Sequence, residues 1–317
     1  MPDRRAGALS RPRLLAVLLL LVAVLLVAFA VRQTGADQSP ASVRSPAAGP
    51  SAAAETSPGT EVSPGAETSS RAATPQAAQR VALEDTFDGD RLDSEVWNTC
   101  HWWDDDGCTI ASNDELEWYR PEQVKVADGT LRLTAEPDPY TTADGTRFDF
   151  RSGMVTTGPT PDDGPAKVAI TYGTVDVRFK APAGRGLWPA IWLLPADRES
   201  RPEIDLLEMI GQDPGELIMH LHPADREADS PSHRHRLSGP DLATGWHTIG
   251  LTWTPGKLVY LLDGKPVWTV KGDQVPSEPM YLVMNLAVGG AYPGPPDDST
   301  PFPATFEIDH VRLTTGA

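Results

Sequence analysis

Glu203, Asp205 and Glu208 fall within six residues, Glu203-Ile204-Asp205-Leu206-Leu207-Glu208, with apolar side chains between them. Carboxylates are costly to draw out of water without partners, so folding alone gives little reason to gather three on one half-buried strand. Two carboxylic acids flanking a sugar linkage are the minimum apparatus for hydrolysing a glycoside with retention of configuration. A solvated acidic strand face is the other reading, because short acidic patterns recur by chance.

Spacing separates the two. On a regular strand Glu203 and Asp205 share a face, while Glu208, three positions beyond Asp205, points away. A β-bulge between Asp205 and Glu208 absorbs the extra residue and returns Glu208 to the face of the others. Glu203 and Glu208 then behave as i and i+4, roughly 13 Å apart at Cα. Glutamates leaning toward each other from those positions bring their carboxyls to about 5–5.5 Å, the separation that retaining hydrolysis uses. Glu203 is then expected to be the nucleophile and Glu208 the acid that protonates the leaving oxygen and later deprotonates water. Asp205, between them, is expected to hydrogen-bond Glu203, and mutual repulsion should keep a proton in the group, with Glu208 protonated.

The elements that position these acids read as β throughout residues 80–317. Thr130–Ala135 and Thr174–Lys180 alternate cleanly, and Leu258–Leu262 turns through Asp263-Gly264 into Pro266–Val270, a hairpin pattern. No long stretch keeps a helical apolar period, and the length suits one sandwich. Trp188, Ala190 and Trp192 share a strand face, so the two indoles either line a sugar cleft or belong to the core. Trp102 and Trp103 either extend the cleft rim or pack. His220 and His222 project together and are either site residues or solvated structural histidines. Cys100 and Cys108 are the two cysteines of the chain and are expected to form a disulfide outside the cell; zinc is the rival, disfavoured by the lack of further cysteine ligands.

Residues 1–32 carry Arg4, Arg5, Arg11 and Arg13 ahead of an unbroken apolar run from Leu14 to Val31, ending in Ala28-Phe29-Ala30. That is either a signal peptide or an uncleaved transmembrane anchor, and the flanking charges place the following chain outside the membrane in both cases. Residues 33–79 are Ala, Ser, Thr, Pro and Gly with scattered charge, a disordered linker that cannot bury enough surface to offset its ordering entropy. The formal net charge of −17 argues against nucleic acid as a partner. It suits an exported protein, expected to be a monomer, acting on a neutral polymer.

From Val81 onward the chain resembles glycoside hydrolase family 16, especially bacterial endo-β-1,3-glucanases (laminarinases). The residues that carry the resemblance are the E-[ILV]-D-x-x-E signature at Glu203–Glu208, Asn113-Asp114-Glu115-Leu116-Glu117-Trp118-Tyr119, Gly186-Leu187-Trp188-Pro189-Ala190-Ile191-Trp192, Asn285-Leu286-Ala287-Val288-Gly289-Gly290, Phe302-Pro303 and Ile308-Asp309-His310-Val311-Arg312. Arg201-Pro202 departs from the Gly that often precedes the signature. The resemblance implies a jelly-roll β-sandwich of two curved antiparallel sheets, concanavalin A-like, with a β-glucan cleft on the concave face. It implies endo-hydrolysis of β-1,3-glucan; mixed-linkage hydrolysis, transglycosylation and a non-catalytic glucan-binding module are the alternatives.

Asn113, His220 and Asn285 are implied sugar contacts, with Trp188 and Trp192 as platforms; a turn role is the other reading of Asn113. Glu117 stands where the family commonly has Gln, so an anion is expected in place of an amide. No cofactor is implied for catalysis. A structural calcium is implied at Thr86, Gly129 and Asp309, with Thr86 where laminarinases often have Glu.

Overall fold

The computed structural model describes residues 79–101, 108–159, 164–224 and 232–316. The segment read as signal or anchor, the linker up to residue 78, and Trp102 and Trp103 lie outside the described residues. Among the described residues no helix is long and apolar enough to cross a membrane.

Two antiparallel sheets hold most of the strands among the described residues. The larger has the order β16 (Lys265–Lys271), β15 (Lys257–Leu262), β14 (His247–Thr254), β9 (Gly173–Lys180), β18 (Ala304–Thr315), β4 (Thr130–Ala135) and β3 (Val124–Ala127). β1 (Arg80–Asp85) joins the second half of β18, whose first half is taken by β4. The smaller has the order β13 (His233–Ser238), β12 (Glu216–His222), β11 (Glu203–Glu208), β10 (Leu187–Pro195), β17 (Met280–Val288) and β8 (Met154–Thr156). Two short ribbons complete the set: β2 (Glu117–Tyr119) runs parallel to β7 (Phe150–Ser152), and β5 (Tyr140–Thr141) pairs with β6 (Arg147–Phe148). The expected hairpin is β15–β16, and its Asp263-Gly264 turn has φ of 50° and 73°, the left-handed pair that a tight two-residue connection needs. Asp128-Gly129 makes the same turn between β3 and β4, at φ of 54° and 69°.

Strand alternation divides the smaller sheet into two faces. Ile191 and Leu193 of β10, Ile204 and Leu206 of β11, Met219 and Leu221 of β12, and Leu282, Met284 and Leu286 of β17 enter the main core. There they join Val175, Val177 and Phe179 of β9 and Ile249, Leu251 and Trp253 of β14 from the larger sheet. The opposite face carries the acids. Part of it is roofed by the segment around Ile110 and Tyr119, which forms a second apolar cluster with Ala190, Trp192, Leu194, Tyr281 and Val283.

Cys100 and Cys108 form a disulfide with Cα atoms 5.2 Å apart, resolving the sequence-level choice between disulfide and zinc. The Cys108 carbonyl accepts the Tyr119 amide at 2.7 Å, so the bridge ties an upstream loop to the roofing segment. Closing a loop this short restricts the unfolded chain by about 2–3 kcal/mol. Replacing both cysteines by serine should therefore lower Tm by about 5–10 °C, read by calorimetry under oxidising conditions.

Candidate active site

β11 turns its acids to one face through a bulge. Against β12 the register passes from Asp205–His220 to Glu208–Ile218, and against β10 from Trp192–Asp205 to Ile191–Leu207. Leu206 and Leu207 are consecutive, yet both are buried in the main core. The two leucines absorb the extra residue on the core side, and Glu208 emerges beside Glu203 and Asp205 as the spacing requires.

These three acids, Asn113, Trp188, Trp192, His220 and Asn285 line one cleft of about 310 Å³, together with His222, Ala190, Glu115, Arg201 and Tyr292. The volume lies within the range of small-ligand sites. The substrate-contact candidates Asn113, Trp188, Trp192, His220 and Asn285 thus reach the same cavity. Glu115, Arg201 and Tyr292 were not among those candidates. Tyr292, an isolated aromatic just after Gly289-Gly290, was the most legible of the three.

The hydrogen bonds are directional. The His220 imidazole Nδ1 contacts Glu208 Oε2, and His222 Nε2 lies 3.3 Å from Asp205 Oδ2. Tyr260 donates to the His220 carbonyl at 3.0 Å and fixes that strand from below. Burial raises the Glu203 carboxyl well above the ordinary range; the Asp205 charge adds to this and His222 opposes it. Asp205 is also raised, by burial and by the Glu208 charge, while its bond with Glu203 and the Arg201 charge act in the other direction. The Glu203 and Asp205 carboxyls meet each other, a contact that needs a shared proton because two carboxylates offer only acceptors.

The tryptophans divide between the two sequence readings. Trp188 keeps an open face, meets Tyr292 edge-on at 5.3 Å, and its buried Nε1 has no acceptor among the described residues. Trp192 is 5% exposed, belongs to the second apolar cluster, and donates Nε1–H to Asn285 Oδ1 at 2.8 Å. Asn285 Nδ2 donates to the Tyr119 hydroxyl at 2.9 Å, and that hydroxyl donates to Glu115 Oε2 at 3.1 Å. Asn113 closes a 3₁₀ turn over Ala111–Asn113, as the turn reading had it, while its Nδ2 donates to Glu115 Oε1 at 2.9 Å. Asn113 thus takes the turn role and also lines the cleft.

Glu117 departs from expectation. It is fully buried, does not line the cleft, and burial together with the neighbouring Glu115 holds its carboxyl well above the ordinary range. It stands behind the cleft wall and not at the sugar, where the sequence reading had put an anionic contact. The two glycines that follow β17 are dictated by this wall. At Gly289, φ 72°, a Cβ would fall 2.4 Å from the Leu116 side chain; at Gly290, φ 96°, it would fall 2.7 Å from the Asn113 carbonyl.

Asp205, His220 and His222 also bring ligand atoms within 4.8 Å of one another, a set able to hold a metal ion in competition with the hydrogen bonds above. At the expected calcium position Thr86 donates its hydroxyl to Asp88 Oδ2 at 2.7 Å, and Gly129 lies beside the Asp88 carboxylate. Asp309 pairs with Arg178 through Oδ2, while its buried Oδ1 has no partner among the described residues. An all-oxygen set with one orphaned carboxylate oxygen fits calcium chemistry.

Comparison with known proteins shows the family of the chain. Residues 113–311 match the model of glycosyl hydrolases family 16. An endo-1,3-1,4-β-glycanase, EglC, of Rhizobium meliloti (strain 1021) is 34% identical over 230 residues, covering 69% of this chain and 47% of that protein. Glucan endo-1,3-β-glucosidase A1 of Niallia circulans is 31% identical over 265 residues, covering 75% and 38%. The chain spans about half or less of the length of these curated relatives. The endo-β-1,3-glucanase of Pyrococcus furiosus superposes with a TM-score of 0.66 at 30% identity, covering 75% of this chain and 95% of that one. The laminarinase catalytic domain of Thermotoga maritima MSB8 also gives 0.66, at 27% identity and 98% coverage of that domain. With its three acids on one strand, its cleft and its match over 113–311, the chain belongs to glycosyl hydrolases family 16.

Proposed function

We propose that this protein is an exported, retaining endo-β-1,3-glucanase whose nucleophile is Glu203 and whose acid/base is Glu208. The observation that carries the reading is the bulge in β11, which turns Glu203, Asp205 and Glu208 into one cleft walled by aromatic rings. In the first step Glu203 attacks the anomeric carbon as Glu208 protonates the departing oxygen. Asp205 takes up the proton it shares with Glu203, freeing the attacking oxygen. The His220 imidazole, bonded to Glu208 Oε2, leaves the other oxygen of Glu208 for the leaving group. In the second step Glu208 deprotonates water, which attacks the anomeric carbon and expels Glu203. Trp188 offers a ring face to the sugar's C–H surface.

A mixed-linkage specificity is the second reading, favoured by the name of the Rhizobium relative. The −17 charge supports a neutral polysaccharide as substrate. The N-terminal arginines and apolar run support export, with either cleavage or retention as a membrane tether. Calcium, where bound, would be held by Asp309 Oδ1 with Thr86 and Gly129 and would brace β1 against β18; none of the catalytic steps uses it.

Wild-type protein should hydrolyse laminarin with retained anomeric configuration by NMR, and Glu203→Gln should lose at least about a thousandfold in turnover. A folded protein that binds laminarin without turnover would instead be a binding module. Product analysis on mixed-linkage glucan separates the two specificities. Glu208→Ala should lose about 10²–10⁴-fold on natural glucan. It should regain activity on an aryl glucoside when azide is added, because the small anion attacks from the side the carboxylate vacated. Recovery in Asp205→Ala and not in Glu208→Ala would exchange the assigned roles.

Glu203→Gln has a second expected consequence. A carboxyl whose folded pKa is raised binds a proton that the unfolded chain has released, so wild-type stability falls as pH rises from the ordinary carboxylate range toward the folded value. The Gln variant lacks this slope. Its Tm should exceed that of wild type by a margin that widens from pH 5 to pH 7.

A further inference from the structure

Glu117 has no role in the proposed chemistry, yet it sits under the cleft wall in an unusual environment. Its side chain is 0% exposed, and Glu115, two residues away, is only 7% exposed. Glu117 Oε2 accepts the Val288 amide of β17 at 2.8 Å. Its Oε1 is buried with no donor among the described residues, and burial and the Glu115 carboxyl, which meets Glu117 there, raise it, while the Val288 amide and the Tyr119 hydroxyl act the other way. Two carboxylates cannot satisfy that contact, because each offers only acceptors. A proton on Glu117 Oε1 satisfies it: Oε1–H donates to Glu115, and the orphaned atom disappears.

Glu115 is the hub of a wider network. It also accepts from Asn113 Nδ2 and from the Tyr119 hydroxyl, and that hydroxyl is held by Asn285, which in turn holds Trp192. Asn113, Glu115, Trp192 and Asn285 line the cleft; Glu117 and Tyr119 do not. The buried acid therefore stands at the closed end of a chain of directional bonds whose open end faces the sugar.

We propose that Glu117 is a positioning residue that works as a neutral carboxylic acid, donating its proton to Glu115 and so orienting Asn113, Asn285 and Trp192 in the cleft. The titratable groups facing it are Glu115 and Tyr119, both on its own segment. β17 contributes the Val288 amide and, through Tyr119, Asn285, and β7 pairs with it through the backbone at Phe150. No cation among these favours ionisation, and burial opposes it. Loss of the proton at alkaline pH would set two anions against each other at the hub and release the wall. The consequence for sugar binding rests on the glucanase reading; the consequence for stability does not.

Glu117→Gln and Glu117→Met separate the proton from the shape. Gln keeps a donor toward Glu115 and an acceptor toward Val288 N–H without titrating; Met keeps the volume and loses both. The Tm of Glu117→Gln should match wild type near pH 5 and exceed it by about 3–5 °C for each further pH unit. In a Glu203→Gln background, which removes turnover, calorimetric affinity for a laminarin-derived oligosaccharide should fall several-fold between pH 6 and pH 9. With Gln at position 117 added it should stay level, and with Met it should be weakened at both pH values. The infrared band of protonated carboxyl groups at pH 7 should be weaker in Glu117→Gln than in wild type, a reading that does not require the Met variant to fold. A Tm difference that stays constant with pH, or a Gln variant as weak as Met at pH 6, would overturn the proposal. A widening Tm gap with no oligosaccharide binding in any variant would uphold the neutral acid and sink the glucanase reading instead.

Discussion

A single irregularity in one strand sets the chemistry of this molecule. Without the bulge, alternation along β11 would send Glu208 into the main core and one of its leucines into the cleft. A buried, unpartnered carboxylate on the core side would be strongly destabilising. With it, Leu206 and Leu207 both pack between the sheets and all three acids share the cleft. The hydrophobic demand of the core is what enforces the irregularity: the two consecutive leucines can both be buried only if the strand gives up its register at that point. Core packing and catalytic geometry are therefore one constraint.

The same sheet carries its acids at a cost that the flanking strands offset. Asp205 is nearly as buried as the core residues, and no arginine or lysine among the described residues forms an ion pair with it. It is kept in place by a shared proton with Glu203 and by His222, while β12 supplies His220 to Glu208. Alternating histidines on β12 are matched to alternating acids on β11 by the antiparallel register, Glu203 opposite His222 and Asp205 opposite His220. The side chains then reach diagonally across that register, His222 to Asp205 and His220 to Glu208, so the ladder sets the shared face and the side chains choose their partners.

Legible in the sequence is what alternation and turn chemistry determine locally. The bulge is legible because three acids at that spacing have no common face otherwise. The β15–β16 hairpin is legible from Asp263-Gly264, and the shared face of Trp188, Ala190 and Trp192 from the period of two. The roles within that face are not, because they depend on what covers it. Trp192 is sealed by the segment around Ile110 and Tyr119, whereas Trp188 lies beyond that roof and stays open. Nothing local to either tryptophan distinguishes them. The place of Glu117 is hidden for the same reason: a strand of three residues, all buried and paired in parallel with β7, shows no alternation from which to read a face.

The roof explains why two glycines end β17. Asn113 and Leu116 press so closely on Gly289 and Gly290 that a side chain at either would collide with them, and both glycines take left-handed backbone angles. The Glu115–Gly289 bridge and the Leu116 amide bonded to the Val288 carbonyl join the same two segments through the backbone. The wall that bears Asn113 is thus clamped to the strand that bears Asn285, by backbone contact outside and by the Glu115–Tyr119 chain inside. Two asparagines far apart in the sequence, each ordinary in its own surroundings, are held at one cleft by that clamp. Pre-set donors of this kind lose little freedom when a sugar arrives, which is the condition under which a few hydrogen bonds can select one linkage over another.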